Sequence, residues 1–468
     1  MRIGAKLIFI FIISGLVTTF VLSWIIELYK YQKRLVPVEN VIENTAYLER
    51  ILTEIYPEKL PKEKMQQIQT LIKNLKHEKT KKVLPIKAFS LIQPILSAVN
   101  DQNLRFMVPS EPVYSVLPFR VQIIDKNAIV TSTATDKIPA GAKILSINKI
   151  PIENLIDQLL PYTSGENYEL REQQLSQLIW LSPELLWKKQ RFVWIFYNQE
   201  EYEVQYTFEN QQQTEKVKTV TLFSYPTLSA KYQSIGSEPP YTFERIDDVG
   251  IIKIRTFSLS GTSYNKFREF LDNTIIYNKD LKKIIIDIRN SQAQDFNIFK
   301  EIYEHLIQSN IKFTRNISLI NTAYILKTLE KYGIEFTQTT GEILNQTFSH
   351  EFKPREPNIK AQVWLLFDRY TNNAALDFAY TFKKLNPGRT IGEPTLTKIN
   401  HTTDITYQYL DSIRLALTYP TSKINEPDGN KPLEPDHTIQ ITTQDRINYL
   451  NGEKDEVMQK ASEIIKNH

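Results

Sequence analysis

The pattern of apolar and polar positions begins with a long apolar run near the N-terminus. Leu7–Ile26 is twenty residues without a charged side chain, flanked by Arg2 and Lys6 on one side and Glu27 on the other. A helix of that length can cross a hydrocarbon layer of ~30 Å. A cleaved signal peptide would have a shorter apolar core and an Ala-x-Ala-like site, which this run lacks. The pattern therefore predicts a single N-terminal transmembrane helix, with residues 1–34 as a membrane anchor.

Helical periodicity dominates the next region, residues 35–112. Apolar side chains recur at helical spacing in Val41–Ile55, Lys62–Leu75 and Ile86–Val99, and prolines lie between these segments. We predict a helical N-terminal region, which serves either as a plain spacer or in binding.

Residues 113–233 change to strand-like patterning. Phe119–Ile124 and Ala128–Thr131 read as strands, and Ile138–Lys149 contains Ala-Gly followed by a short strand ending in Ile-Asn, with a helix from about Glu153. This order resembles the latter half of a PDZ-like module, which binds an extended peptide as an added strand. We predict a PDZ-like segment plus a helix and strands, acting either in peptide binding or as a structural insert.

After a link rich in Gly, Ser and Pro, Ser234–Pro240, strands and helices alternate. Predicted strands cover Val249–Ile254, Ile284–Ile288, Val363–Phe367, Thr403–Tyr409 and Ile413–Tyr419, and predicted helices cover Ser263–Ile276, Phe296–Ser309 and a segment after Tyr370. Such alternation indicates an α/β layered domain over residues 241–468.

Composition narrows the function classes. The chain has 468 residues, of which 41% are hydrophobic, so it can bury substantial cores in roughly three domains. Its net charge of +4 is too balanced to imply a nucleic-acid partner. The absence of cysteine excludes disulfides, thiolate metal sites and a cysteine nucleophile. The sequence has no His-Glu-x-x-His, phosphate-loop or dinucleotide motif, and we therefore predict no cofactor.

Candidate chemistry lies where the strand Val363–Phe367 turns into a helix. The helix has an apolar face made by Ala375, Phe378, Ala379 and Phe382, at spacing i, i+3, i+4, i+7. A strand, a sharp turn and a helix together present a nucleophile at a helix N-terminus, where backbone N–H groups favour developing negative charge.

This segment resembles the tail-specific (C-terminal processing) serine peptidases, whose pattern is Thr-x-Ser-Ala-x-Glu followed by Gly-Glu-Pro-Thr. Thr371, Ala374 and Gly392–Thr395 match that pattern. Lys283–Asn290 resembles a further strand of the family, and Leu433–Asp436 its C-terminal pattern. The resemblance implies a crotonase/Clp-protease-like catalytic domain, extended or unfolded polypeptide as the partner, and a body outside the cytoplasm.

The departures from the family pattern fall on catalytic positions. The serine position holds Asn373, which has no hydroxyl to attack a carbonyl, and the glutamate position holds Leu376. Either Asn372 or Asn373 could still cap the helix. In the family branch that opens with Asp-x-His, the histidine is the general base; here that position is Asn103, which cannot take a proton near neutral pH.

The oxyanion-hole position also differs. The resemblance places a Gly-Gly pair after the strand that ends at Asn290, but this chain has Ala293 and Gln294. A missing oxyanion donor typically costs about 10²–10³ in rate. Both side chains resist the positive φ that glycine permits.

Lys398 occupies a further catalytic position of the family, and two interpretations of it are kept. In the branch that uses a Ser–Lys dyad, the lysine follows Gly-Glu-Pro-Thr, and Lys398 occupies that place; it is otherwise a surface lysine on a strand. None of the six histidines, His401 among them, lies in a recognisable triad pattern. We therefore carry two hypotheses: a non-catalytic relative that binds extended polypeptide, and an active hydrolase that uses Thr371 with Lys398.

Overall fold

The computed structural model describes residues 34–187, 200–232, 234–236, 238–291, 296–323, 325 and 341–467. Three features of the sequence analysis lie outside these residues. They are the apolar run Leu7–Ile26, a strand-like segment at Phe192–Phe196, and the pair Ala293 and Gln294.

The prediction of a single-pass membrane protein requires correction. Within the described ranges, every helix is too short or too polar to cross a membrane. The findings thus contradict the predicted transmembrane helix and the membrane localisation derived from it, and the membrane is dropped as a partner.

The helices of the described chain are α1 (Val38–Arg50), α2 (Lys62–Lys76), α3 (Pro85–Ser97), α4 (Ile152–Leu159), α5 (Tyr168–Trp180), α6 (Tyr225–Ser229), α7 (Gly261–Tyr277), α8 (Phe296–Leu306), α9 (Asn373–Leu385), α10 (Thr443–Leu450) and α11 (Glu456–Lys466). Short π-helical or 3₁₀ turns occupy Ile51–Ile55, Leu160–Tyr162 and Pro183–Trp187.

The strands are β1 (Val36–Pro37), β2 (Lys82–Val83), β3 (Arg105–Phe106), β4 (Ser115–Val116), β5 (Phe119–Ile124), β6 (Asn127–Thr133), β7 (Lys143–Ile147), β8 (Ile150–Pro151), β9 (Glu201–Phe208), β10 (Gln211–Lys218), β11 (Val220–Thr221), β12 (Tyr241–Ile246), β13 (Val249–Ile254), β14 (Lys283–Asp287), β15 (Ile311–Ile320), β16 (Ile343–Phe352), β17 (Gln362–Phe367), β18 (Arg389–Gly392), β19 (Thr402–Leu410), β20 (Leu415–Ile424) and β21 (His437–Thr438).

A mostly parallel sheet organises the last region, in the order β12-β13-β14-β17-β18-β21. Only β12 runs antiparallel to its neighbour among these strands. Successive side chains of β14 point to opposite faces. Ile284 and Ile286 pack with α7, α8 and α9, whereas Ile285 packs with the C-terminal helix α11. Because both faces are covered, the strands are continuous apolar runs, and the predicted α/β layering is confirmed.

Two further sheets flank this layer. Strands β10-β9-β7-β6-β5 form an antiparallel sheet in the middle region, with α5 packed against β5. A second antiparallel sheet, β16-β15-β20-β19, receives β3 from the N-terminal part of the chain, where Arg105 pairs with Thr418. The helical N-terminal region therefore shares one hydrophobic core with the middle sheet and with β19–β20. The domain boundaries themselves stay predictions.

A buried ion cluster fixes the carboxyl end of β14. Asp287 is fully buried and accepts hydrogen bonds from Arg255 Nη2 at 2.9 Å and Arg289 Nη2 at 2.8 Å. Arg289 also pairs with Asp455, the N-cap of α11, at 2.7 Å. Burial alone would raise the pKa of Asp287, but the two guanidinium groups outweigh it and hold that pKa well below its usual range. The cluster therefore ties the central strand to the last helix.

Replacing Asp287 by asparagine should strongly destabilise the protein. Asp287→Asn removes the fully buried charge of the cluster and leaves Arg289 with Asp455 alone and Arg255 with Glu238 alone, so we expect the free energy of unfolding to fall by about 3–5 kcal/mol. Denaturant unfolding would measure it. The matched control is Asp280→Asn, which breaks an exposed pair with Arg245 and should change stability little. Equal effects from the two variants would show that the buried cluster is dispensable.

A second carboxylate, that of Glu301, makes the stability of the protein fall at acid pH. Glu301 on α8 accepts from Tyr264 at 2.8 Å and pairs with Arg355 at 2.6 Å. Burial opposes ionisation, but hydrogen bonds and the nearby cations lower the pKa of Glu301 from 4.5 to about 2. Since the folded pKa is depressed, the stabilisation is complete above about pH 4.5 and is lost as pH falls toward about 2.

The variant Glu301→Gln tests this. The wild type should exceed it in stability near neutral pH by on the order of 2 kcal/mol, and the difference should shrink as the pH drops below 4.5. Urea unfolding of both proteins at a series of pH values, down to the lowest at which both fold, measures the difference. A difference that does not vary with pH would contradict the assignment.

Candidate functional site

Two loops meet at the carboxyl edge of the parallel sheet. β14 leads into Asn290, β17 leads into Asp368, and parallel neighbours present these ends side by side. Asp368 accepts hydrogen bonds from Asn290 N at 2.9 Å, Tyr370 N at 3.2 Å and the Thr371 hydroxyl at 3.0 Å. Asp368 thus joins the two loops and sets the turn that enters α9. Burial raises the pKa of Asp368, partly offset by the Asn290 N–H.

The turn into α9 holds an asparagine in the left-handed conformation. Asn373, the first residue of α9, has φ +49°, whereas Asn372 before it is extended. Asparagine tolerates this conformation better than most residues. The predicted capping interaction is wrong for Asn372, which occupies the N-cap position without a side-chain hydrogen bond to the helix. Its Oδ1 atom is buried and has no hydrogen-bond partner among the described residues.

Asn103 lies against Asn373 although 270 residues separate them in the chain. The carbonyl oxygen of Thr402 can only accept, so the Asn103 Nδ2 group must face it, at 2.9 Å. The same nitrogen lies 3.3 Å from Asn373 Oδ1. The structure therefore brings together the residues that the family resemblance places at the base and nucleophile positions, although their roles there stay predictions.

A buried carboxylate holds Asn103 in place. Asp101 Oδ1 accepts the Asn103 backbone N–H at 2.8 Å and the Thr402 hydroxyl at 3.0 Å, and Asp101 Oδ2 accepts the Tyr56 hydroxyl at 3.0 Å. Burial raises the pKa of Asp101, partly offset by these hydrogen bonds. Because the backbone N–H of Asn103 and the hydroxyl of its partner Thr402 both donate to Asp101, this carboxylate positions Asn103.

The two asparagines line a cavity of about 580 Å³. Helix α5, strand β3 and the start of α9 form its walls, and much of the lining is carboxamide. Besides Asn103, Asn372 and Asn373, four glutamines contribute: Gln102, Gln173, Gln174 and Gln177. Carboxamides both donate and accept hydrogen bonds but do not transfer protons near neutral pH.

The remaining predicted catalytic residues lie elsewhere. Thr371 is fully buried. Its hydroxyl donates to Asp368 Oδ1 at 3.0 Å and accepts the Asp368 backbone N–H at 3.2 Å. Lys398 is exposed and forms a β-bridge with Pro432; neither residue lines the cavity. Leu376 lies in the hydrophobic core, and His401 is buried with its Nδ1 atom 2.9 Å from the Ile399 carbonyl oxygen. The structure does not bring Thr371 or Lys398 to the Asn103–Asn373 pair.

The Gly-Glu-Pro-Thr match has a structural explanation. Gly392 has φ +134°, and a Cβ atom there would lie 1.8 Å from the Phe367 carbonyl oxygen, so only glycine fits between β17 and β18. Glu393 receives both terminal nitrogens of Arg446 from α10. The motif therefore joins the sheet edge to the C-terminal helices.

Sequence reasoning missed Arg105, which lines the same cavity. The available signal was closeness in sequence, since Arg105 lies two residues after Asn103. A strand of only two residues gave no apolar alternation from which to detect it.

Proteins of known structure share this architecture. The model of peptidase family S41 matches residues 248–441. The structure of mature CPAF complexed with lactacystin superposes with a TM-score of 0.64 at 14% identity, covering 92% of this chain and 99% of that one. A CPAF mutant gives a TM-score of 0.60 at 14% identity, covering 90% and 97%. The photosystem II D1 C-terminal processing protease gives 0.44 at 12% identity, covering 89% and 98%. No curated protein matches the sequence.

The two CPAF structures are only 14% identical to this chain, and they establish a shared fold over most of both chains. Residues 248–441 match the model of the tail-specific peptidase family S41, as the sequence resemblance predicted.

The left-handed turn yields a stability prediction. Asn373→Ala and Asn373→Gly both remove the contact with Asn103, but only alanine meets steric strain at φ +49°. We expect the alanine variant to be less stable than the glycine variant by about 1 kcal/mol. Urea unfolding of the two proteins gives the difference directly. An alanine variant as stable as the glycine variant would mean that position 373 does not hold this backbone conformation.

Proposed function

We propose that this protein is a non-catalytic member of its family, which holds extended or unfolded polypeptide in the cavity beside Asn103 and Asn373. Membership of a protease family supports polypeptide as the ligand class. The finer proposal, binding without cleavage, depends mainly on one observation: the 3.3 Å contact between the two carboxamides at the base and nucleophile positions.

Acyl transfer needs a nucleophile and a group that removes its proton. Neither asparagine supplies either function, since a carboxamide nitrogen is not basic and the side chain has no hydroxyl. Asp101, the nearby carboxylate, accepts three structural hydrogen bonds and contacts Asn103 through the backbone N–H. On this proposal, the hydrogen bonds that position Asn103 are kept, while carboxamides replace the base and the nucleophile.

The cavity is suited to main-chain recognition. Carboxamide side chains match the alternating N–H and C=O groups of an extended peptide, which a purely apolar cavity would leave unsatisfied. Its volume of about 580 Å³ lies in the usual range for ligand sites.

The predicted PDZ-like segment is a less suitable place for the peptide. Its edge strand β5 donates the Ile123 N–H to Ser176 Oγ of α5 at 3.3 Å. The N–H groups of Asp125 and Lys126, which follow β5, are directed at Glu172 of the same helix. Strand addition there would compete with these bonds, and we therefore place the polypeptide in the cavity.

The rival hypothesis, an active hydrolase using Thr371 with Lys398, finds little support in the geometry. A nucleophilic hydroxyl must reach a substrate, but that of Thr371 is fully buried. The lysine that should activate it is exposed and outside the cavity.

The test combines turnover, labelling and binding on the full chain. An unfolded, fluorescently labelled protein substrate should bind, measured by anisotropy, and should remain intact over hours. A fluorophosphonate probe should leave the protein unmodified. Cleavage or covalent labelling that disappears in Thr371→Val or Lys398→Gln would overturn the proposal in favour of the rewired hydrolase. Absence of binding would also contradict it.

The double variant Asn373→Ser, Asn103→His tests whether the framework is still competent. Because both positions already touch, we expect the pair to restore detectable fluorophosphonate labelling at the hydroxyl introduced at position 373, with each single variant remaining unlabelled. Mass spectrometry of the modified peptide gives the answer. Labelling of a single variant to the same extent would show that the two positions do not act as a pair.

A further inference from the structure

Arg105 is the only charged side chain that lines the cavity in the described chain. It lies on β3, whose pairing with Leu417 and Thr418 of β20 fixes its backbone. Asn103 and Asn373 line the same cavity. A single cation therefore stands in a wall that is otherwise made of carboxamide, hydroxyl and apolar groups.

This guanidinium has no protein partner among the described residues. Other arginines with little exposure are paired: Arg315 with Asp377, and Arg446 with Glu393. For Arg105 burial is the sole influence on its pKa, which it lowers, and no carboxylate lies close enough to compensate. An arginine nevertheless stays protonated in proteins, so the charge is retained.

An unpaired, half-buried cation costs folding free energy unless a negatively charged or hydrogen-bonding group pairs with it. Two further features of the cavity favour negative charge. The N-terminus of α9, which carries partial positive charge, lies at this wall through Asn372 and Asn373, and the wall contains no Asp or Glu in the described chain. The buried Asn372 Oδ1 atom, an acceptor without a partner in the described chain, belongs to the same wall and is suited to a main-chain N–H of the ligand rather than to its carboxylate.

We propose that Arg105 binds a carboxylate carried by the polypeptide in the cavity. A planar guanidinium presents parallel N–H donors that match a carboxylate in bidentate fashion. The carboxylate comes either from the C-terminus of the polypeptide or from an aspartate or glutamate side chain within it. This assignment depends on the proposed function, since it specifies the ligand of the same cavity.

The test uses the full chain and four fluorescent peptides of one extended, otherwise uncharged sequence. One has a free C-terminal carboxylate, and the second is its C-terminal amide. The third and fourth are amides with a central glutamate or a central glutamine. Anisotropy titrations at constant ionic strength give the affinities. We expect one carboxylate peptide, or both, to bind at least about ten-fold more tightly than its neutral partner.

Variants at position 105 link that preference to the guanidinium. Arg105→Gln should reduce the preference to near unity, and Arg105→Lys should retain part of it, because charge remains but the bidentate geometry is lost. Arg389→Gln is the matched control, since it removes one exposed arginine on β18, outside the cavity. It should leave the preference unchanged. Thermal unfolding establishes that each variant is folded.

The outcomes separate this inference from the proposed function. Tight binding of all four peptides with no preference, or a preference that survives in Arg105→Gln, would overturn the carboxylate assignment and leave the binding function in place. Failure of every peptide and of the unfolded protein to bind would overturn both. A preference confined to the free C-terminus identifies a tail as the ligand, and one confined to glutamate identifies an acidic internal segment.

Discussion

The ion cluster around Asp287 is the constraint on which the site geometry depends. It closes the carboxyl end of the central strand by joining the segments after β13 and β14 to the N-cap of α11. The loop that leaves this strand reaches Asn290, which in turn is bonded to Asp368 of the next strand. A displaced β14 would therefore move both loops that shape the turn into α9. Such a cluster determines the path of the backbone more than it adds to net stability, because the desolvation of four ionised groups offsets much of their attraction.

Around that framework, carboxamides occupy the positions where the family resemblance predicts reactive groups. Hydrogen bonds to Asp101 and Thr402 fix both the backbone and the side chain of Asn103. The left-handed residue at the start of α9 keeps the sharp turn that exposes a side chain to the cavity. Rigid positioning is useful for chemistry, but it equally suits binding, since pre-ordered side chains lose less entropy when a ligand arrives.

Part of this could be predicted from sequence. The apolar runs Ile284–Ile288 and Val363–Phe367 are buried on both faces, which makes their strand character evident, and the helix after Asn372 follows from its regular spacing. The strand Ile343–Phe352 escapes sequence reasoning, because it is an edge strand with mostly polar residues in irregular alternation. The unpaired state of Arg105 is equally inaccessible, since it depends on which remote residues are absent from its surroundings.

The pairing of β3 with β20 has a consequence for how the protein is made. Arg105 and Thr418 are 313 positions apart, so the wall that carries Arg105 cannot join the rest of the cavity until both segments have been synthesised. Closing so long a loop is slow compared with forming local helices. Because the N-terminal helices share their hydrophobic core with β19 and β20, their packing also waits for these later strands. Both the β3 wall of the cavity and the packing of the N-terminal helices are therefore completed only after β20 has been made.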